Sequence, residues 1–403
     1  MGVQSDRGLV EFRQGLYSCF RRWGDALFEL CDAALCANGP VGSVPQLSLE
    51  PEFTRSHGSL YKALAKGRID DDRLRRLLVA SAPDDWPMVY AVDASTWDRC
   101  DAECSPERGF YYSASRHSAG QPIVAGWSFQ WICQLSFTPD SWTAPLDVQR
   151  ISPLEDATDA TIAQIHRLVD LLPNDREVPL FVFDAGYHPI ALADGLRGSR
   201  AQVLCRIRDD RVFYTDPPAR PRRPTRTGGR PPRHGRRMKC SDKRTWGKPS
   251  ERLVTSEPRY GTVTVTAWHG LHPKLTGRGR WAGHPVPPIV KGTVIRVEVE
   301  HLPKPSARTK NTLWLFWSGP GTPDLAGAPT CDASTSSTCS ASPRTPSGRP
   351  HQHCARPPKP SAGRGSSPPC SPSSASPETT SSSCASGKAR TTSSTPTGCC
   401  ARR

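Results

Sequence analysis

Pro179-Leu-Phe-Val-Phe-Asp184-Ala-Gly-Tyr187 is the stretch whose reading decides the fold. Four apolar residues in a row, bounded by Pro179 and by Ala-Gly, read as a short core strand buried on both faces and followed by a sharp turn. Such a strand delivers the carboxylate of Asp184 to its C-terminal end. An upstream stretch, Pro87-Met-Val-Tyr-Ala-Val-Asp93-Ala-Ser, repeats the design: an apolar strand, an Asp, then small residues. Two strands tipped with Asp are the expected centre of the molecule.

Around them the texture alternates. Short strands are expected over Met88 to Asp93, Gly109 to Ser115 and Ile123 to Phe137, following one another as a meander. Glu155 to Leu172 turns helical, with Ile162, Ile165, Leu168, Val169 and Leu172 on one face. A short helix (Pro189 to Leu196) and an apolar strand (Gln202 to Ile207) follow the Asp184 strand. Three strands, a helix, a strand, a helix and a strand make a mixed α/β layer in which the two Asp-tipped strands can be neighbours.

Upstream, apolar positions from Leu9 to Ala37 recur at helical spacing and predict one amphipathic helix ended by Gly39-Pro40. Two shorter helices, Ser59 to Gly67 and Asp70 to Ala80, form either a helix-turn-helix or an ordinary packing layer. Downstream, Tyr260 to Trp268, Val290 to Val299 and Thr312 to Trp317 restore strand alternation as a β-rich insertion. Four regions result: an N-terminal helical region over 1–85 with a possible DNA-binding role, a core over 86–206, a basic loop and β-rich insertion over 207–325, and a tail over 326–403. The tail contains no Val, Ile, Leu, Met, Phe, Tyr or Trp and is expected to be disordered.

Lys and Arg outnumber Asp and Glu by 53 to 38, a formal charge of +15, which favours a polyanionic partner without choosing among DNA, RNA and a membrane surface. Much of the excess lies between Arg206 and Lys248, including Arg220, Arg222, Arg223, Arg226, Arg230, Arg233, Arg236, Arg237 and Lys239. This Pro- and Gly-broken segment is read as unable to bury a core and as lying along phosphates, against the alternative of a solvated loop. No signal pattern and no apolar run of about 20 residues is present, so the expectation is a soluble, cytoplasmic protein away from membranes. Seven of the fifteen cysteines lie in the tail, and the closest pair elsewhere, Cys100 and Cys104, matches no common zinc module even with His117.

Two converging carboxylates repel one another unless a cation sits between them, and Mg²⁺ prefers carboxylate oxygens. Metal ions about 4 Å apart support phosphodiester displacement, so a nuclease or strand transferase is one reading of Asp93 and Asp184. The other makes both residues turn formers, since Asp-Ala-Ser and Asp-Ala-Gly suit turns and caps.

Several stretches together carry a resemblance: Val92-Asp93-Ala-Ser-Thr-Trp97, Cys100-Asp-Ala-Glu-Cys-Ser-Pro-Glu-Arg-Gly109, Ser115-Arg-His-Ser-Ala-Gly-Gln-Pro-Ile-Val-Ala-Gly126, Phe181 to Tyr187, and Tyr260-Gly-Thr-Val. They look like DDE-superfamily transposases of bacterial, particularly actinobacterial, insertion sequences. The resemblance runs from the N-terminal region to about Leu325. It implies an RNase H-like fold whose first two catalytic, metal-holding acids are Asp93 and Asp184, with Mg²⁺ or Mn²⁺ as cofactor. It implies transposon ends and target DNA as partners, leaves homo-oligomer formation open, and puts a β-rich insertion before a helix bearing the catalytic Glu.

That last element is where the chain departs from the family. Past Leu325 the family pattern continues into an Arg-Arg-Phe-Asp-x-Glu-His-x-Phe-Arg type motif, and here a Ser/Pro/Thr/Cys/Arg tail stands instead. One permitted back-translation of Cys331-Asp-Ala-Ser-Thr-Ser-Ser-Thr-Cys-Ser-Ala-Ser-Pro-Arg344, read one base earlier, gives Leu-Arg-Arg-Phe-Asp-Ile-Glu-His-Met-Phe-Arg-Phe-Ala-Lys. A frameshift or truncation is therefore the expectation, and with it a catalytically incomplete protein. Glu298 and Glu300 are the nearest substitutes, but alternation with Val297 and Val299 sets them on the outer face of an insertion strand. The rival is a non-catalytic nucleic-acid-binding protein that uses only the basic segment.

Overall fold

A computed structural model describes residues 2–39, 41–112, 123–138, 141–218, 232–303 and 311–325. All of these lie in one compact unit, Met1–Ser347. The tail after Leu325 and the Arg-rich residues 219–231 lie outside the described residues, as does His117.

The N-terminal region begins with α1 (Gly2–Cys19), β1 (Phe20–Arg22), α2 (Gly24–Cys36) and α3 (Val44–Leu47), followed by α4 (His57–Lys66), β2 (Arg68–Ile69) and α5 (Asp71–Ala80). The single helix expected over Leu9 to Ala37 is therefore two. The chain breaks at Phe20–Arg22, which pairs antiparallel with Arg68–Ile69, and Trp23 takes a left-handed conformation (φ 58°) just before α2. α4 packs on α2, and α5 packs on α1 and against the sheet. Asp70 caps α5 by accepting from Arg73 N at 3.0 Å, with Asp71 and Asp72 in the positive first turn.

The sheet is built from β3 (Val89–Asp98), β4 (Gly109–Tyr112), β5 (Ile123–Leu135) and β6 (Thr143–Ile151), then, after α6 (Ala157–Val169), β7 (Leu180–Phe183), α7 (Pro189–Gly195) and β8 (Gln202–Ile207). β5 lies between β3 on one side and both β4 and β6 on the other, all antiparallel. β7 pairs parallel with β3, and β8 parallel with β7. The path β6-β5-β3-β7-β8, three antiparallel strands and then two parallel ones joined through helices, is the RNase H-like arrangement. The meander expected from sequence omitted β6, its third long strand. Thr143-Ala-Pro-Leu-Asp-Val-Gln-Arg-Ile carries charges and puts Pro145 at a register shift against β5, which suits an outer strand but masks strand periodicity.

β9 (Val212–Tyr214) and β10 (Arg237–Lys239) form a separate antiparallel pair. The basic segment thus does contribute to a core at its margins, because Met238 and Cys240 alternate inward with exposed Arg237 and join Phe213, Trp268, Trp314 and Phe316. β11 (Glu251–Glu257), β12 (Gly261–Leu271), β13 (Gly292–Val299) and β14 (Thr312–Ser318) extend the main sheet from β8 outward in the order β14-β13-β12-β11, making ten strands. β11 was not foreseen, since Glu-Arg-Leu-Val-Thr-Ser-Glu hides two apolar residues among charges at a sheet edge.

One face of the sheet carries α6 and α7. Tyr90, Val92, Ile132, Phe181, Phe183, Val203 and Cys205 meet Ile162, Ile165, Leu168 and Leu192 there. On the opposite face Ala91, Leu180 and Val182 are only half-buried. The apolar run before Asp184 is therefore fully buried on one face rather than two. No helix among the described residues is long and apolar enough to cross a membrane.

Candidate active site

The pairing of β3 with β7 runs Val89↔Leu180, Tyr90↔Phe181, Ala91↔Val182 and Val92↔Phe183. One more step in that parallel register sets Asp93 beside Asp184, at the roughly 4.8 Å spacing of neighbouring strands. Both side chains share the parity of Ala91 and Val182, so both project from the face away from α6.

Local backbone orients each carboxylate. Asp93 Oδ1 accepts from Ala94 N at 2.9 Å, and Asp184 Oδ1 accepts from Gly186 N at 2.7 Å in the turn after β7. A Cβ at Gly186 would come within 2.9 Å of that same Oδ1, so the glycine is required by close approach of the carboxylate. Burial pushes the Asp93 carboxyl up to about 6, the Ala94 N–H opposes the rise, and the charge of Asp184 adds to it. The two acids therefore sense one another electrostatically. Neither Oδ2 has a hydrogen-bond donor among the described residues, a donor set that fits a hard divalent cation shared by two carboxylates. Among the described residues no group of three His, Cys, Asp or Glu side chains could hold a metal.

Sequence reading missed what lies beneath. Tyr187 is raised well above the usual tyrosine range, first by burial and then by the charges of Asp93 and Asp184. Its hydroxyl donates to Gln130 Oε1 at 3.3 Å, and Thr161 Oγ1 donates to the same oxygen at 2.9 Å. Gln130 Nε2 donates to Gln164 Oε1 at 3.0 Å. Gln130, Thr161 and Gln164 are essentially fully buried, so this network supports the Tyr187 ring under the carboxylates. The available signal was Ser128, Gln130 and Gln134, polar residues at alternate positions of a strand whose intervening residues are aromatic or apolar.

Glu298 and Glu300 do not join the pair. Glu298 is ion-paired with Arg296, and Glu300 Oε2 accepts from Thr262 N at 2.8 Å. β13 is three strands from β7 in the sheet order, about 14 Å at ordinary strand spacing. Of the basic residues, Arg236 and Arg237 are exposed, Arg233 and Lys239 are half-buried, and none of the four pairs with a carboxylate among the described residues. Arg220, Arg222, Arg223, Arg226 and Arg230 lie outside the described residues. Cys100 and Cys104 are exposed, and neither is in a disulfide among the described residues.

A family model described as DDE superfamily endonuclease matches residues 11–274, which takes in both Asp residues and their strands. The chain belongs to that family. Among solved structures, this DDE-family chain is similar to a piggyBac transposase in a synaptic complex with hairpin DNA, at 9% identity and a TM-score of 0.30. The similarity covers 75% of this chain and 54% of that one, about half the transposase's length, and is too weak to bear on fold or activity. No curated protein matches.

Proposed function

We propose that this DDE-family chain descends from a transposase that cuts and joins DNA at insertion-sequence ends, and that as it stands it lacks the third acid needed for the cut. The observation that carries the reading is the in-register pair Asp93 and Asp184 on adjacent parallel strands. These two residues would hold Mg²⁺ or Mn²⁺. When bound, such an ion supplies activation of a water or 3′-hydroxyl and offsets charge at the scissile phosphate.

The chain's own residues set the geometry. Strand register fixes the separation of the acids, Ala94 N and Gly186 N hold one oxygen of each, and Tyr187 closes the floor against the Gln130 network. Arg233, Arg236, Arg237 and Lys239, with the five arginines upstream of them, are the residues we assign to DNA phosphates at transposon ends and target. The regions 1–85, 86–206 and 207–325 act as helical, catalytic and insertion parts of one cytoplasmic protein, and 326–403 is the out-of-frame product of a frameshift in an actinobacterial-type insertion sequence.

A Mg²⁺-dependent cleavage assay on transposon-end DNA tests the reading. The chain should make no double-strand cut, and a chain whose frame is restored after Leu325 should cut. Robust cutting by the present chain that depends on Asp93 and Asp184 would overturn the incompleteness, and a coding DNA with no frame for the motif would remove the frameshift.

A further inference from the structure

Aromatic residues line the strand surface that leads away from Asp93. In the antiparallel pairing of β3 with β5, Asp93 stands opposite Trp131, Ser95 opposite Phe129 and Trp97 opposite Trp127. Residues opposite one another share a face, so these six occupy the face from which Asp93 projects. Phe110, opposite Ala125 on β4, continues the row on that face and is 81% exposed. The intervening residues of β5, Ser128, Gln130 and Ile132, are buried against the helices, whereas Trp127, Phe129 and Trp131 are only half-buried.

We propose that this row is a stacking platform for unpaired nucleotides, receiving the DNA strand that leads away from the Asp93 and Asp184 pair; the proposal rests on the DNA-endonuclease reading and adds a subsite to it. Trp97 is its centre. It is 58% exposed, 6.2 Å from the Trp127 ring and 6.5 Å from the Phe129 ring. The flanking indoles have their N–H groups engaged inside the protein, Trp131 Nε1 donating to Ser95 Oγ at 2.9 Å and Trp127 Nε1 to the Pro106 carbonyl at 3.2 Å. What they present outward is ring surface, which suits a base better than a polar peptide.

Three further features favour a nucleic acid as the occupant. β3 is paired with β7 only through Val92, so Trp97 stands on a margin that β7 leaves open. Four residue steps along the strand take Asp93 to Trp97, about 13 Å, a span of a few nucleotides. Arg150, opposite Phe129 on β6, sets a guanidinium beside the rings while paired with Glu107, and the chain as a whole carries +15. Bases stack on such side chains regardless of sequence, so removing one ring weakens binding to every single strand alike.

Fluorescence anisotropy on the full chain without divalent metal tests the platform, comparing labelled oligo(dT) with a labelled duplex. Trp97→Ala should weaken oligo(dT) binding about tenfold and leave duplex binding unchanged, while Trp97→Phe, which keeps a ring, should retain most of the affinity. Trp142, an exposed residue just before β6, serves as control, and Trp142→Ala should bind both DNAs like the unaltered chain. Unchanged oligo(dT) binding by Trp97→Ala, or equal losses for single strand and duplex, overturns the platform and leaves the endonuclease reading standing. An unaltered chain that binds neither DNA overturns both.

Discussion

At the scale of single residues, the site keeps a charge where the fold would rather have none. Asp93 has its carboxyl pushed up to about 6 by burial and by Asp184. A carboxyl raised in the folded state contributes stability below its unfolded value, near 3.8, and loses it as pH rises through about 6. In chelator, Asp93→Asn should therefore raise the unfolding free energy by about 1–2 kcal/mol above neutral pH, after allowance for partial exposure, and change little in acid. Thermal melts across pH check this, and a destabilised variant at high pH would contradict it. Gly186→Ala should displace the Asp184 carboxylate and weaken metal binding about tenfold with little change in folding. That the two Asp-tipped strands are neighbours was legible because both stretches end an apolar run in Asp and small residues. Tyr187 and Gln130 were not, because their contact joins residues 57 apart and only the folded sheet brings them together.

At the scale of elements, α5 is tied to β6 by one buried ion pair. Arg75 Nε lies 3.0 Å from Asp147 Oδ1, with side chains only 10% and 5% exposed. Arg75 also pairs with Asp72, so it is Arg75→Ala that strands a buried charge, on Asp147, and it should cost about 3–5 kcal/mol in urea unfolding, while an apolar pair at positions 75 and 147 should cost far less. The insertion has a pH-sensitive joint of its own. His234 Nδ1 lies 3.0 Å from Nε2 of fully buried His272, and burial holds both imidazoles below the usual histidine range. A depressed histidine costs stability when the unfolded chain takes up the proton first. Protection factors for amide exchange across β9 and β10, corrected for the intrinsic slowing of exchange in acid, should therefore fall as pH drops below about 6.5. Elements with one clear period, such as α6 and β8, were legible in the sequence. β6 and β11 were not, because outer strands mix charge and proline into their alternation, and the break between α1 and α2 depends on pairing with residues some 48 positions away.

At the scale of the whole molecule, +15 of formal charge predicts DNA binding that weakens steeply with salt, in the duplex and the single strand alike. A flat salt response would remove phosphate contacts from the account. The fold class followed from the two Asp-tipped strands and the alternation around them. The order of the sheet required the tertiary pairing of β5 with three strands. Past Leu325 the sequence offers no large apolar side chain to lay against Leu180, Val182 and Leu315.

The most direct test is calorimetric titration of the full chain with Mn²⁺. Asp93 and Asp184 as a shared pair predict one weak site that disappears in Asp93→Ala and equally in Asp184→Ala. Titrations of the two variants that match the unaltered chain would contradict it.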